Sequence, residues 1–548
     1  MNILIVGGMT SGAKVAAKLR RELGNDANIK VICKSGYVSY APWCLPHYLA
    51  NKIVETQPIE EHTPESISAL LDVQFIPLTE AISLDLSAKR ITALHLPDDQ
   101  IMEFPYDKLV IATGADYTIP NFIPTGVDGV YSLRNVSDAD RMKKAIECGN
   151  VKRAVVYGGN KLGIEIACEL KELGVRVSII EKSLNLLPGF DTDYSEYIEN
   201  ELANFGIPVF TGDSIHSIDG NGKVEKICCE KRSFKTDMLV LANSLKPNTD
   251  WLNTSGLVLS EDGFLPVDGF FRTSDPNVYA CGDCACIRNM ITAEYVPNPG
   301  GSAATIEARF LAKCIAERST REFKGTLETI VFHTPTFNAG MTGISYEKAK
   351  EYGIDAECTT IGTDDKDKRL KGNTPYNLRI IVNKNNRKII GCEVIGKGNV
   401  DKMIDTAVAL ISMGATLDDV EDMDFAFAPE FSTPIQPFEI AVHTLQNKLD
   451  GKLFGNSYKY VELDDTWTIL DSSRLQAIPQ VRHIAVSTIN GEIPGVPFDS
   501  KIALFCPGGR FSNVASNRLR RYGYKTVQSI EGGTMFNYKL VEDYSNNN

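Results

Sequence analysis

Apolar residues open the chain in short unbroken runs, each closed by a glycine turn and followed by helical spacing. Residues 3–6 form such a run, with the continuous apolar character of a parallel strand buried on both faces. Gly7-Gly8-Met9-Thr10-Ser11-Gly12 follows, then a predicted helix over 13–23 and a second strand over 29–33. Strand, glycine loop, helix and strand make a βαβ dinucleotide unit. In it Gly7 serves the tight turn and Gly12 lets the helix pack under a pyrophosphate. Met9 takes the middle glycine position, and Cys33 stands where an acid would hold a ribose.

The pattern recurs. A strand over 151–157 runs into Gly158-Gly159-Asn160-Lys161-Leu162-Gly163-Ile164-Glu165, a helix over 166–173 and a strand over 175–180 that ends in Glu181. Here the acid is placed for a ribose 2′-hydroxyl, which favours NADH, while neighbouring Lys182 keeps NADPH open. Two such units predict two dinucleotides side by side, the arrangement for passing a hydride between them. Two strands end in small-residue turns outside these units. One closes on Ala112-Thr113-Gly114, the other on Cys281-Gly282-Asp283, with helical sequence resuming near Gly301. An aspartate there can accept from a ribityl hydroxyl, and the helix after it can point its N-terminus at a flavin. From about 327 to 449 strands (378–382, 389–394) alternate with helices (400–413), and after Lys452 a smaller unit of roughly 95 residues follows.

The chain has 548 residues, too many for one core. Its net charge of −13 argues against nucleic acid or anionic membrane as partners. No apolar run reaches the ~20 residues needed to span a bilayer, and the N-terminus reads as a strand rather than a signal peptide. Thirteen scattered cysteines fit reduced thiols in the cytoplasm. No metal site is expected: Cys281, Cys284 and Cys286 belong to the flavin-type turn, and no second ligand pair of suitable spacing follows.

Two cysteines carry candidate chemistry. Ser39-Tyr40-Ala41-Pro42-Trp43-Cys44-Leu45-Pro46-His47-Tyr48 follows the second strand. Pro42 suits a helix start, and a cysteine in the first turn would lie at the positive end of the helix dipole, which favours thiolate. The competing reading is a buried structural thiol. His47 is an acid–base candidate or a polar residue at the helix end. Cys506 ends the predicted strand 501–505 and enters Pro507-Gly508-Gly509-Arg510-Phe511-Ser512, a glycine-rich loop opening a helix. Backbone N–H groups gathered there stabilise thiolate and anionic sulfur; the alternative is a fold kept for packing alone.

In this order, Gly7–Gly12, Ser39–Tyr48, Ala112-Thr113-Gly114, Gly158–Glu165, Lys246-Pro247-Asn248 and Tyr279–Ala285 resemble the FAD-dependent pyridine nucleotide-disulfide oxidoreductases, in the branch of coenzyme A-disulfide reductase, NADH oxidase and persulfide reductase. The resemblance implies an α/β architecture of two Rossmann-like dinucleotide-binding domains, FAD-binding (1–118 and 247–322) with an inserted NAD(P)H-binding domain (119–246). An α+β dimerisation domain (323–451) and a homodimer complete it. Residues 452–548 resemble a rhodanese domain, with Cys506 as the persulfide carrier. Its arginine falls four residues after the cysteine instead of five, and the Gly-His-Ile-Pro-Gly turn is not found between Asp471 and Cys506.

The positions matching the family assign Gly7, Gly8, Gly12, Thr113, Gly114, Gly282 and Asp283 to FAD. They assign Gly158, Gly163, Glu165 and Glu181 to NADH, and Lys14, Lys18, Arg21 and Ser39 to a coenzyme A-type substrate; for the three cations a solvated helix face is the equal alternative. There are departures. Trp43 occupies the family's cysteine position and Cys44 its glycine; Lys161 replaces an aromatic gate, Ser244 a glycine, and Phe427 a tyrosine that reaches the partner's site. Trp43 and Phe427 are accordingly candidate substrate contacts. The leading expectation is an NADH-reduced flavoenzyme that cleaves a sulfur–sulfur bond of coenzyme A disulfide, a persulfide or a polysulfide, with Cys44, His47 and Cys506 catalytic. The alternatives are an NADH oxidase or flavin reductase that needs no redox cysteine, and a flavin-bound sensor or scaffold without turnover.

Overall fold

The computed structural model describes residues 1–53, 60–124 and 126–545, and the chain divides into two compact units. The first unit comprises Met1–Lys182 and Gly212–Thr326. Its first sheet is parallel, with strands Val278–Ala280, Lys108–Ile111, Asn2–Val6, Asn28–Ile32 and Gln74–Ile76 side by side. Ile5, Val31, Val110 and Ile111 are fully buried, as strands covered on both faces require. One cover is the helix Thr10–Leu23, packed on the helix Gly301–Ile315 through Val15, Ala16, Leu19, Ala308, Leu311 and Ala312. The first of these helices starts three residues earlier than its apolar period predicts, because polar Thr10 and Ser11 already have helical geometry.

A second parallel arrangement sets Val130–Tyr131, Met238–Leu241, Arg153–Tyr157 and Arg176–Ile180 side by side, under the helix Lys161–Glu172. That helix begins at Lys161, five residues before the expected start, because the Asn160 side chain caps it by accepting the Gly163 N–H at 3.0 Å. The strands Ala115–Tyr117 and Leu245–Pro247 pair antiparallel and join the two nucleotide parts of the unit.

The second unit comprises Ser183–Thr211 and Leu327–Asn548. Its antiparallel sheet runs in the order Ile330–His333, Asn338–Gly343, Ile389–Gly396, Pro375–Asn383, Ala356–Asp364. Helices Val400–Met413 and Pro437–Leu449 pack on it. A parallel four-stranded sheet follows, ordered Gly455–Asn456, Thr526–Ile530, Lys501–Phe505, Trp467–Asp471, with helix Arg510–Arg521 against it. No helix among the described residues is long and apolar enough to cross a membrane.

A buried charge cluster holds this unit. Arg379 is fully buried and donates to Asp191 at 2.7 Å, to Asp193 at 2.9 Å and to Thr360 Oγ1 at 2.8 Å. Its guanidinium lies 4.8 Å from the centre of the Tyr194 ring. Glu393 beside it is pushed well above the usual carboxylate range by burial and by the Asp191 charge. Asp191 and Asp193 flank the start of helix Thr192–Asn204, and Asp193 also accepts from Ser457. Removing the cation would strand two buried carboxylates. Arg379→Met is therefore expected to cost about 3–5 kcal/mol, read as a lower urea midpoint at unchanged transition slope.

Candidate active site

The first glycine loop is backbone packed directly on backbone. A Cβ on Gly7 (φ +110°) would lie 2.1 Å from the Ala112 carbonyl oxygen, and one on Gly12 would lie 1.8 Å from that of Gly7. Gly8 approaches Cys33 in the same way: its Cβ would fall 2.0 Å from Sγ. Cys33 is buried, and burial pushes its thiol up to about 12. A neutral thiol thus stands where a ribose-binding acid is expected, so the charge usual at that position is missing.

The Thr113-Gly114 turn closes the neighbouring strand. Thr113 Oγ1 is buried with no hydrogen-bond partner among the described residues. Asn248 ties Lys246-Pro247-Asn248 to this turn, donating from its backbone N–H to Gly114 at 2.9 Å and from its side chain to the Thr113 carbonyl at 3.2 Å. Asp283 accepts from Arg134 at 2.8 Å, and Arg134 also donates to the Ala115 carbonyl at 2.7 Å. The sequence reading missed Arg134. Its signal was modest: an arginine directly before Asn135, the side-chain cap of helix Val136–Glu147. A glycine cradle too tight for any Cβ, an orphaned threonine hydroxyl and an aspartate at the strand end fit the dinucleotide half of FAD.

The second loop repeats this packing. Cβ atoms on Gly158 and Gly163 would lie 2.1 Å from the Ala242 oxygen and 2.0 Å from the Gly158 oxygen. Asn160 replaces the middle glycine and pins the loop to Ala242 through its amide at 2.6 Å. Glu181 Oε2 accepts the Gly159 N–H at 2.6 Å, which holds the acid at the mouth of the loop. Glu165 is half-buried on the helix that follows. These residues fit NAD(H).

The Ser39–Tyr48 stretch departs from expectation. Pro42–Cys44 is a single 3-10 turn, and the α-helix after it, Leu45–Leu49, has five residues with Cys44 as its N-cap. Cys44 therefore lies outside the helical first turn. Its thiol is raised above the ordinary value, by burial first and by the Glu61 charge second. The favoured-thiolate expectation is corrected: the helix is too short to offset burial and the Glu61 charge. Trp43 is 58% exposed and lays its ring edge on Gly301, where a Cβ would be 2.6 Å from Cε3. His47 Nδ1 meets the buried Glu169 at 2.9 Å, and Lys52 meets the same carboxylate at 2.7 Å. The His47 ring is thus tied to the second nucleotide helix.

Lys14, Lys18 and Arg21 share one face of helix Thr10–Leu23. Lys18 pairs with Glu22, and Arg21 donates to the Ala17 carbonyl at 3.1 Å. The side chain of Ser39 lies outside the described residues. Phe427 belongs to the second unit and is half exposed.

Also in the second unit, Cys506 ends strand Lys501–Phe505 and is 1% exposed. Its Sγ accepts the Ser512 N–H at 3.5 Å, with Ser512 Oγ at 3.7 Å. The loop packs on the sheet edge, where the Gly362 N–H donates to the Gly508 carbonyl at 3.3 Å. Glu531 anchors the next loop, accepting the Thr360 N–H at 2.8 Å and from Lys448 at 3.1 Å. Between Asp471 and Cys506, His483 bridges to Asp471 and its Nε2 meets the Ser473 carbonyl at 2.7 Å.

Comparison with known proteins fits this geometry. A family model for pyridine nucleotide-disulphide oxidoreductases matches residues 1–304, and one for the dimerisation domain of the same family matches residues 328–437. The chain belongs to the pyridine nucleotide-disulphide oxidoreductase family. It is 28% identical over 453 residues to an NADH oxidase of Methanocaldococcus jannaschii, covering 82% of this chain and 100% of that protein. It is 27% identical over 440 residues to coenzyme A disulfide reductase of Staphylococcus aureus (strain NCTC 8325 / PS 47), covering 79% and 97%. Among solved structures, reduced CoADR-RHD of Bacillus anthracis superposes with a TM-score of 0.93 at 26% identity, covering 99% of this chain and 98% of that one. The NAD-dependent persulfide reductase of A. fulgidus superposes with a TM-score of 0.92 at 29% identity, covering 98% and 100%. Membership makes this chain a pyridine nucleotide-dependent oxidoreductase.

A raised Cys44 thiol has a measurable signature. Alkylation of Cys44 by iodoacetamide, followed residue by residue with mass spectrometry, should still be accelerating at pH 9. Glu61→Gln should move the curve to lower pH, because it removes a negative charge that opposes thiolate. A plateau reached by pH 7 would contradict both statements.

Proposed function

We propose that this oxidoreductase uses NADH to reduce FAD and spends the two electrons on a sulfur–sulfur bond of a small substrate: coenzyme A disulfide, a persulfide or a polysulfide. The observation that carries this reading is the likeness, over 98% of the chain, to a persulfide reductase, a span that includes the unit bearing Cys506. For a persulfide the balance is RSSH + NADH + H⁺ giving RSH, H₂S and NAD⁺; for a disulfide, two thiols form. Bound FAD supplies the hydride relay between nicotinamide and sulfur.

The chain's own residues supply the rest. In this reading Gly7, Gly8, Gly12, Thr113, Gly114, Gly282 and Asp283 hold FAD. Gly158, Gly163, Glu165 and Glu181 hold NADH. Lys14, Lys18, Arg21, Ser39 and Phe427 take the substrate. Cys44 exchanges with the substrate sulfur, His47 serves the leaving thiolate, and Cys506 carries sulfane sulfur in a rhodanese-like domain spanning 452–548. The FAD domain is assigned 1–118 and 247–322, the NAD(P)H domain 119–246 and the dimerisation domain 323–451. A homodimer is supported by the dimerisation match and by exposed apolar Met413, Phe427, Phe431 and Ile435. Thirteen cysteines, all free, support a cytoplasmic setting.

A second reading has one specific observation behind it. Trp43, not a thiol, lies on the N-terminal residue of helix Gly301–Ile315, and the Cys44 thiol is raised. This favours reduction of an acceptor directly at the flavin, without a redox cysteine.

Anaerobic titration with NADH separates the two. Flavin bleaching with a new Cys44 thiol, and in Cys44→Ser bleaching that persists without that thiol and without disulfide turnover, supports the disulfide route. Bleaching with no new thiol and an active Cys44→Ser supports direct flavin chemistry, and no bleaching returns the chain to a sensor or scaffold. Sulfide release from a persulfide should fail in Cys506→Ser if that cysteine carries sulfur. NADH should exceed NADPH in kcat/KM by about tenfold or more, since a 2′-phosphate would meet the Glu181 carboxylate. Glu181→Ser should narrow that ratio.

A further inference from the structure

One buried acid at the flavin turn has no counter-ion among the described residues. Glu307 lies on helix Gly301–Ile315 and is 1% exposed. Its Oε2 accepts the Gly282 N–H at 2.8 Å, and its Oε1 accepts from Asn298 Nδ2 at 3.0 Å. Asn298 is fixed in turn by Thr326 Oγ1, which donates to it at 2.9 Å. On the other side of the turn, a Cβ on Gly282 (φ +74°) would lie 2.2 Å from Ser11 Oγ. The turn that ends in Asp283 is thus gripped between the first nucleotide helix and Glu307.

Few titratable groups face this acid. Asp283, on the same turn, is offset by Arg134 at 2.8 Å. Cys281 is fully buried, and its thiol is held well above the ordinary range by burial and then by the Glu307 charge. Among the described residues no cation lies within ion-pair distance of Glu307. Burial pushes its carboxyl up to about 7, against its two hydrogen bonds. A glutamine could accept the Gly282 N–H but would set an amide donor against Asn298 Nδ2; a carboxyl accepts from both and also has the capacity to gain and lose a proton near neutrality.

We propose that Glu307 is the positioning residue of the flavin turn, holding Gly282-Asp283 in place and taking up one proton from solvent when the bound flavin is reduced. The charges balance. On the proposed function, on which this inference rests, hydride from NADH would carry two electrons and one proton to FAD held by this turn, a net gain of one negative charge. That charge disfavours the carboxylate, so an O–H bond forms on Glu307 with a solvent proton. When the electrons pass to the acceptor, the proton returns.

Two measurements on the purified holoprotein test this, neither of them turnover. In equilibrium with a reference dye, the flavin midpoint potential of the native protein should fall more steeply from pH 7 to 8 than that of FAD-loaded Glu307→Gln, which retains an acceptor for the Gly282 N–H. In Glu307→Ala, the dissociation constant for FAD should rise about tenfold or more, from loss of the acceptor for a buried N–H. Superimposable potential–pH curves for native and Gln proteins would overturn the proton role. An Ala variant that binds FAD as tightly as the native chain would overturn the positioning role. If the Ala variant does not fold, as circular dichroism reports, Glu307→Met, which fills the space but likewise removes the acceptor, takes its place in the FAD titration.

Discussion

The first unit depends on backbone packed against backbone at two points. At Gly7 and Gly12, and again at Gly158 and Gly163, a strand end, a helix start and a neighbouring strand end meet with no side chain between them. Any Cβ there would fall near 2 Å from a carbonyl oxygen, which no rotamer can relieve. This closeness puts the chemistry at one edge of each parallel sheet. The strand ends leading into Thr113, Asn243 and Gly282 lie beside the glycine loops because strands in parallel register finish together. The antiparallel pair Ala115–Tyr117 and Leu245–Pro247 then carries the chain between the two sheets, and Asn248 locks that junction to the Thr113 carbonyl.

What the sequence disclosed follows from this geometry. Glycine spacing, the acid at Glu181 and the Gly282-Asp283 turn are local signals, each complete within a few residues, and the structure places them as strand ends and helix starts. Contacts across long separations were not legible. Arg134 meets Asp283 across 149 residues, His47 meets Glu169 across 122, and Glu307 meets Gly282 across 25. None belongs to a periodic pattern, so nothing in the linear order announced them. The Asn160 cap was visible as a missing glycine but not as a replacement for one. Its side chain ties the helix start and Ala242 together in place of a close backbone approach.

Cys44 shows how a sound local rule can give the wrong sign. A proline two residues before a cysteine does mark a helix start, and the turn Pro42–Cys44 is there. A dipole needs aligned peptides, however, and five residues of helix supply few. Burial and the charge of Glu61, brought close by the pairing of Val38–Tyr40 with Glu60–His62, act in the opposite direction. Trp43 completes the change. Because Gly301 carries no side chain, an indole edge rests against the start of helix Gly301–Ile315, so this position offers a flat aromatic surface instead of sulfur.

The second unit applies the same economy to a sheet edge. Strand Ala356–Asp364 is the outermost of its sheet, and an uncovered edge leaves N–H groups open to pairing with other chains. Here alternate N–H groups along the edge are taken: Thr360 by the Glu531 carboxylate and Gly362 by the Gly508 carbonyl. Lys448, buried beside Glu357 and Glu531, neutralises the carboxylate that caps the edge. Glu531 leads into Gly532-Gly533, and a Cβ on Gly533 would lie 1.7 Å from the Cys506 carbonyl oxygen. One set of contacts therefore covers the sheet edge and fixes both loops around Cys506. The thiol itself meets Ser512, and the loop that carries it is fixed to the sheet edge through the Gly508 carbonyl.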